Sequence, residues 1–522
     1  MPSFERPSLM QVLLGPIIIY ALYYIHWELT VGASRRAMIK RHGCKPMKNY
    51  LELNSFPENI IGIKTVMENI RAAKEHRLMV HNRARYLRTG SNMHIKFFFT
   101  DLIQTIEPEN IKTMLALDFN KWGVGNRRKD AFVPLLGHGI FTTDGAAWQN
   151  SRDLLRPNFV RSQVGDLATF EIHVDQLIKA IPKDGSTVNL QDLFFMLTMD
   201  SATEFLFGES TNCLAPESSH ENTEFAEAFN RSQEGVAESF RTGKMGQWLR
   251  GSMTKKDREY CHYFVDKFVQ KALEYRKKLD VENTVAKADD RYIFLYELVK
   301  KTKDPVQLRS ELMNILLAGR DTTASLLSDT WFVLARRPDI WAKLREEVDA
   351  LGGEKPTFRQ IKDMKYLKWV FNESLRMYPV VPGNTRCAAI DTILPLGGGE
   401  DGKSPLFIPK GQYVQWSLYT MHRRKDFYGE DSEDFRPERW EKLRPGWEYL
   451  PFNGGPRICI GQQFALTEAS YTTIRLMQEF KSIESRDDRP WIEGLTLTCA
   501  IHQGTLVGLT PAQSQSNPRN VP

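Results

Sequence analysis

Pro451-Phe452-Asn453-Gly454-Gly455-Pro456-Arg457-Ile458-Cys459-Ile460-Gly461-Gln462-Gln463-Phe464-Ala465 is the stretch on which the reading of this chain turns. One cysteine sits in a loop rich in glycine and proline, with Arg457 two residues before it and Gly461 two after, and an amphipathic helical run begins at once. Glycines tolerate positive φ and close backbone approach, so such a loop can turn several backbone N–H groups toward one sulfur. Those hydrogen bonds and the start of a helix favour a thiolate over a thiol. An anionic sulfur held this way suits a soft metal, and thiolate is among the few proximal ligands that haem iron accepts. Zinc would need partners at metal spacing, and no Cys-x-x-Cys or His-x-x-x-His accompanies Cys459. A buried cysteine acting only as a small hydrophobe is the bland alternative.

The pattern Phe452-x-x-Gly455-x-Arg457-x-Cys459-x-Gly461 resembles the haem-binding loop of the cytochrome P450 superfamily. The resemblance implies haem b, with Cys459 as axial ligand to the iron and Phe452, Arg457 and Gly461 shaping the cofactor site.

Bulk properties fit a large enzyme. The 522 residues are 42% hydrophobic and 26% charged, enough for a substantial core. Seventy basic against 64 acidic residues leave a net charge of +6, too little to argue for nucleic acid. The six cysteines (Cys44, Cys213, Cys261, Cys387, Cys459, Cys499) show no framework spacing, which favours a reducing compartment.

The longest apolar run is Leu9 to Trp27, LMQVLLGPIIIYALYYIHW. It reaches the lower part of the range for a membrane-spanning helix, about 17–25 residues. Tyr20, Tyr23, Tyr24 and Trp27 gather toward one end like an interfacial aromatic belt. Arg35, Arg36, Lys40, Arg41, Lys45 and Lys48 follow the run and only Arg6 precedes it, so the charge bias predicts a single-pass anchor with everything after residue 30 in the cytosol. A cleaved signal peptide and a peripheral segment are the alternatives. The expected organisation is an anchor over 1–30, a linker over 31–57, a catalytic domain over 58–512 and a disordered tail over 513–522.

Along the domain, Met93–Thr100 reads as a strand, Asn110–Leu117 as a helix, and 119–144 as a loop rich in Gly and Arg. Trp148 and Arg152 are four apart and share one helical face, where an indole N–H and a guanidinium can serve carboxylates; a cation–π contact is the plainer reading. Asp257–Lys278 is helical by periodicity, and Phe225, Phe229, Phe240 and Trp248 recur at helical spacing, ordinarily a core stripe; in the fold that the resemblance implies, this region would also lid the substrate pocket and touch the membrane. Val306–Arg336 reads as one apolar helix interrupted by Ala318-Gly319-Arg320-Asp321-Thr322-Thr323. Polar residues in an apolar helix oppose burial, and such local violations mark functional sites. Glu373 and Arg376 are i, i+3, and Phe435-Arg436-Pro437-Glu438-Arg439-Trp440 offers a second arginine for a bidentate network. Short strands follow over Val381–Val414, then a helix over Ala465–Phe480 and a strand pair over Trp491–Thr510.

Four of these stretches, Trp148-x-x-x-Arg152, Ala318–Thr323, Glu373-x-x-Arg376 with Phe435–Trp440, and the Cys459 loop, resemble superfamily motifs in the family order. The resemblance implies a mainly α fold with a small β-rich lobe, in which Asp321 and Thr322 serve oxygen activation and proton delivery. Trp148, Arg152 and Arg386 would bind the haem propionates, and Glu373, Arg376 and Arg439 would form a structural triad. Ala318 takes the position where animal fatty-acid ω-hydroxylases often carry a Glu esterified to haem, so no covalent link is expected. Gly43-Cys44-Lys45-Pro46, the segments 139–145 and 155–159, Asp200-Ser201-Ala202-Thr203-Glu204-Phe205-Leu206-Phe207-Gly208 and the segment 391–399 are similar to fungal microsomal n-alkane and fatty-acid hydroxylases. The implied activity is insertion of one oxygen atom from O2 into a C–H bond of a small hydrophobic substrate, by terminal hydroxylation of a long aliphatic chain. The chain carries no flavin or nicotinamide motif, so electrons would come from an NADPH-dependent diflavin reductase, with cytochrome b5 as a further partner, at the endoplasmic reticulum membrane. Arg152, Arg423, Arg424, Lys425, Lys442 and Arg457 could face that acidic partner. The alternatives are a monooxygenase of a secondary metabolite or xenobiotic, and an isomerase or dehydratase acting on peroxides.

Overall fold

Asp304 and Pro305 open the helix around which the molecule is assembled. The Asp304 carboxylate accepts from Val306 N at 2.9 Å, and proline at the first helical position loses no hydrogen bond. The helix then runs unbroken over Pro305–Leu334, about 45 Å at 1.5 Å per residue. It is buried on nearly every side, polar positions such as Glu311, Asn314, Asp321 and Asp329 included, so its apolar residues form no single stripe. The computed structural model describes residues 9–48, 62–97, 100–159, 167–216, 218–242, 254–282 and 292–512.

Helices Leu190–Phe207, Lys255–Glu282, Lys365–Met377 and Gln462–Glu479 pack on this central element. One core gathers around Phe194, Trp331, Phe371 and Ile474, and a second around Phe225, Phe229, Leu312 and Leu316. A third lies under a five-stranded sheet in the order Asn92–Phe97, Thr100–Thr105, Tyr413–Ser417, Gly383–Ala388, Trp122–Gly123. All of its pairings are antiparallel except Thr100–Thr105 with Tyr413–Ser417. Three smaller sheets complete the β structure of the described residues. The fold is thus mainly helical with small sheets, as expected.

Two local expectations change. The segment 119–144 is not all loop: Asn126–Leu136 is a helix bounded by Gly125 and Gly137, both at positive φ (77° and 66°), with Ala131, Leu135 and Leu136 buried. The C-terminal strands do not form one pair. Glu493–Leu495 pairs with Cys499–Ile501, while Leu506–Pro511 joins Phe480–Ser485.

The N-terminal expectation is corrected as well. Leu9–Trp27 is a helix, but among the described residues no helix is long and apolar enough to cross a membrane. Gln11, Pro16, His26 and three tyrosines dilute the run. Its side chains from Ile17 to Ile25 are largely exposed, and the chain stays helical through His42, into the stretch expected as a linker. Arg35 ties it to the domain through two bonds to the Asp391 carboxylate at 2.9 and 3.0 Å. The expected tail, 513–522, lies outside the described residues.

Helix His220–Thr242 covers the second core, burying Phe225, Phe229 and Val236. Its end is fastened from two directions. Arg127 donates to the Phe240 and Arg241 carbonyls at 2.9 and 2.8 Å, and Arg241 donates to the Leu495 and Thr496 carbonyls at the tip of the last hairpin.

Candidate active site

The cysteine loop is held by backbone contacts that only glycine allows. Gly455 has φ +65°, and a Cβ there would sit 1.9 Å from the Leu115 carbonyl oxygen. Asn453 also takes a positive φ, 63°, and its amide donates to the Arg457 carbonyl at 3.2 Å. Cys459 N donates to Phe452 O at 3.0 Å, which closes the loop on itself. The Cys459 side chain is accessible, yet protein surrounds it closely enough that burial is the first influence on its thiol, pushing the pKa up. The Gly461 N–H, the Arg152 guanidinium and the Gln462 N–H act in the opposite sense. These are the groups that stabilise a thiolate, gathered on one sulfur at the start of helix Gln462–Glu479.

Beside this loop lies a cluster of buried guanidinium groups. Arg457 donates to Asp144 at 2.9 Å and to the Thr143 carbonyl at 3.0 Å, and its Nε has no partner. Arg128 donates to Asn384 Oδ1 at 2.6 Å, and its Nε is also unpartnered. Arg386, 2% exposed, donates to the Thr385 carbonyl at 2.9 Å. Burial drives all three below the ordinary arginine value, Arg128 and Arg457 to about 10. Arg386 is lowered further by its neighbours Arg128 and Arg457. Lys129 adds a fourth cation at 3.0 Å from Asp144. Four cations thus share one carboxylate, and the arrangement is complementary to a dianion. A haem with two propionates beside a cysteine thiolate meets both requirements. The Trp148 ring lies between two guanidinium groups, Arg457 at 4.5 Å and Arg152 at 5.9 Å, and Arg152 reaches the Ile458 carbonyl at 3.2 Å.

The central helix does not break at its polar segment. Thr322 Oγ1 donates to the Ala318 carbonyl at 2.8 Å, satisfying the hydroxyl inside the helix. Asp321 is 4% exposed and receives Arg320 Nη1 at 2.8 Å. Burial pushes its carboxyl up, and the Arg320 charge opposes that. Ile460, next to the cysteine, packs on the same core as Ile315 and Leu317 of this helix.

Behind the loop, Glu373 and Arg376 are wholly buried and joined by two bonds, Nε to Oε2 at 2.9 Å and Nη2 to Oε1 at 2.8 Å. Arg439 Nε donates to Oε1 at 2.9 Å and Trp440 Nε1 to Oε2 at 3.0 Å. Arg436 N supplies a fifth bond at 2.8 Å. The remaining donors of both arginines reach main-chain carbonyls at His422, Ser432, Tyr428 and Asp431.

The residues expected at the proximal site come together: Phe452, Arg457, Cys459 and Gly461 in the loop, with Trp148, Arg152 and Arg386 around it. Asp321 and Thr322 lie on the central helix, and Glu373 is bonded to both Arg376 and Arg439. Arg128 was not foreseen; it lay in a segment read as loop, and the apolar spacing of Ala131, Leu135 and Leu136 is the signal that would have exposed its helix. Two members of the expected basic face are corrected. Arg423 is buried, folded over Tyr419 at 3.8 Å and bonded to that residue's carbonyl at 3.1 Å, and Arg457 points inward to Asp144.

The family model for cytochrome P450 matches residues 58–504. The chain is 42% identical over 510 residues to cytochrome P450 monooxygenase fsdH of Fusarium heterosporum, covering 95% of this chain and 88% of that one. It is 45% identical to cytochrome P450 monooxygenase himC of Aspergillus japonicus, covering 90% and 84% respectively. With cytochrome P450 52A1 of Candida tropicalis it shares 48% over 79% of each chain. The cysteine loop, the arginine cluster and this similarity along nearly the whole length agree: the chain belongs to the cytochrome P450 family and is a haem-dependent monooxygenase.

Proposed function

We propose that the protein hydroxylates the terminal carbon of long-chain fatty acids or n-alkanes. The observation that carries the reading is the set of segments, Asp200 to Gly208 foremost, that resemble alkane and fatty-acid hydroxylases, on a chain similar to cytochrome P450 52A1. The apolar core around Ile315, Leu317, Phe141 and Leu497 suits an aliphatic substrate.

Bound haem supplies the one-electron chemistry that activates O2. Cys459 would ligate the iron, and the Gly461 and Gln462 N–H groups directed at its sulfur would favour the thiolate form. Arg128, Arg386 and Arg457, with Trp148 and Arg152, orient the cofactor by its carboxylates. Thr322 trades its bond to the Ala318 carbonyl for one toward the reacting centre, and Asp321 passes protons inward to it. Glu373, Arg376 and Arg439 keep the proximal side rigid. Electrons come from a diflavin NADPH reductase, with cytochrome b5 as a second donor. The exposed apolar side chains Ile17, Ile18, Ile19, Leu22 and Ile25, followed by Arg36, Lys40 and Arg41, suit a helix lying in the surface of the endoplasmic reticulum membrane, with the catalytic domain in the cytosol.

The test is reconstitution with reductase, NADPH, and hexadecanoic acid or hexadecane. ω-Hydroxylated product in proportion to NADPH consumed supports the reading, and no coupled product from either removes the substrate class. Conversion of a lipid hydroperoxide without NADPH would favour the isomerase or dehydratase alternative, which the Asp321–Thr322 pair argues against. Cys459→Ala abolishes the red-shifted ferrous–CO band, and a retained band sinks the ligand assignment.

A further inference from the structure

Arg241 fastens the cover of the second core with its side chain, yet it does so without an anionic partner. Its Nη2 donates to the Leu495 and Thr496 carbonyls at the tip of the terminal hairpin, and Arg127 fixes its main chain by donating to its carbonyl at 2.8 Å. Among the described residues no carboxylate bonds to this guanidinium, and its Nε and Nη1 have no bonded partner. Glu238 and Glu493 act on it only through space, and both Glu493 oxygens accept from Met79 N, at 3.1 and 2.9 Å. Two neutral carbonyls do not balance a half-buried charge, and burial holds Arg241 below the ordinary arginine value.

What lies beside this cation is apolar. Leu497 follows the two receiving carbonyls and packs on the same core as Phe132, Ile315 and Leu317. The Phe240 ring, one residue before Arg241, meets the Phe132 ring edge-on with centroids 5.8 Å apart. Ile315 and Leu317 lie on the central helix within one turn of Ala318, whose carbonyl receives Thr322. A cation thus stands at one end of an apolar track that ends at the helix of Asp321 and Thr322. Sites for amphiphiles have this form, an apolar run with a polar group that fixes orientation.

We infer that Arg241 is the head-group anchor, binding the carboxylate of a long-chain fatty acid whose tail runs past Leu497 toward Ile315 and Leu317. This rests on the proposed hydroxylation of aliphatic chains and narrows that class from acids or alkanes to acids. The carboxylate supplies the counter-charge that the fold withholds, in the planar geometry a guanidinium favours, and an n-alkane has nothing to put there. With the head held at the cover, the methyl end is the part delivered to the central helix, as terminal hydroxylation requires.

The test compares hexadecanoic acid with hexadecane on the holoenzyme as wild type, Arg241→Met and Arg241→Lys. Affinity is read from the Soret shift on titration, and products are identified after turnover with reductase and NADPH. Wild type binds the acid about tenfold or more tightly than the alkane, the effect of a charged hydrogen-bonded pair. In Arg241→Met that ratio falls toward one, and hydroxylation of the acid spreads from the terminal carbon along the chain. Arg241→Lys, which keeps the charge but not the fork, recovers part of the ratio. A ratio in Arg241→Met equal to that of wild type overturns the anchor, even where both compounds bind more weakly, because Arg241 then only fastens the hairpin. If wild type binds and hydroxylates hexadecane as well as the acid, the aliphatic substrate class stands and the anchor alone falls. If wild type neither binds nor oxidises either compound, the substrate class fails and the anchor falls with it.

Discussion

Replacing Glu373 by glutamine tests the buried network with almost no change of shape. Oε1 accepts three bonds, from Arg376 Nη2, Arg439 Nε and Arg436 N, and Oε2 accepts two, from Arg376 Nε and Trp440 Nε1. A glutamine can keep its oxygen at only one of these positions. Placed at Oε1, it sets an NH2 group against the donors of Arg376 and Trp440. It also removes the carboxylate shared by the two buried guanidinium groups, leaving Asp431, 3.4 Å from Arg439, as the remaining counter-charge. Breaking a buried ion pair by removing one partner costs about 3–5 kcal/mol. A whole protein is stable by about 5–15 kcal/mol. At a urea dependence of about 3 kcal/mol per molar, the unfolding midpoint falls by about 1–2 M. Urea unfolding followed by far-ultraviolet circular dichroism, with haem content measured on the same samples, reads the effect. A midpoint within about 0.3 M of wild type, with haem fully retained, would show that the network carries little of the stability assigned to it.

Three more substitutions probe the rest. Gly455→Ala places a methyl against the Leu115 carbonyl at positive φ, so the loop loses about 2–4 kcal/mol and the ferrous–CO band of the purified protein drops with haem loading. Arg128→Met acts with opposite signs on the two forms: the haem-free protein becomes more resistant to urea because a buried charge and its repulsion of Arg386 and Arg457 are removed, while haem transfer to apomyoglobin accelerates about tenfold or more. Glu468 is buried against Ser201 and pushed up to about 8, so it is neutral in the folded protein where the unfolded chain is already ionised. Its contribution is therefore complete at low pH and is lost as pH rises toward 8, at about 1.4 kcal/mol per unit. Glu468→Gln flattens the fall of the urea midpoint between about pH 5 and 8, and an equally steep fall would assign that slope to other groups.

What the sequence revealed follows the distance over which the information is spread. The cysteine loop occupies contiguous residues, and its glycine positions answer to a backbone contact at Leu115 that the loop itself demands. The Glu373 pairing could be read because Glu373 and Arg376 are neighbours on one helix, and Arg439 joined them through the motif around it. Arg128 was hidden because glycine and arginine content in 119–144 masked a short helical period. Arg423 was misread for a related reason: a run of basic residues looks like a surface until tertiary packing lays one of them over Tyr419. The N-terminal run failed as a membrane span on composition, not on secondary structure, which it adopts as expected.

The fastening of helix His220–Thr242 has an evolutionary consequence. Arg127 grips the carbonyls of Phe240 and Arg241, and Arg241 grips those of Leu495 and Thr496, so all four receiving groups are main-chain carbonyls, the Phe240 ring adding a contact 5.6 Å from the Arg127 guanidinium. Every amino acid offers the same carbonyl. Side chains along the helix and the hairpin tip can therefore drift under selection for new substrates while closure is inherited unchanged, and one scaffold can diversify its chemistry without reinventing its door.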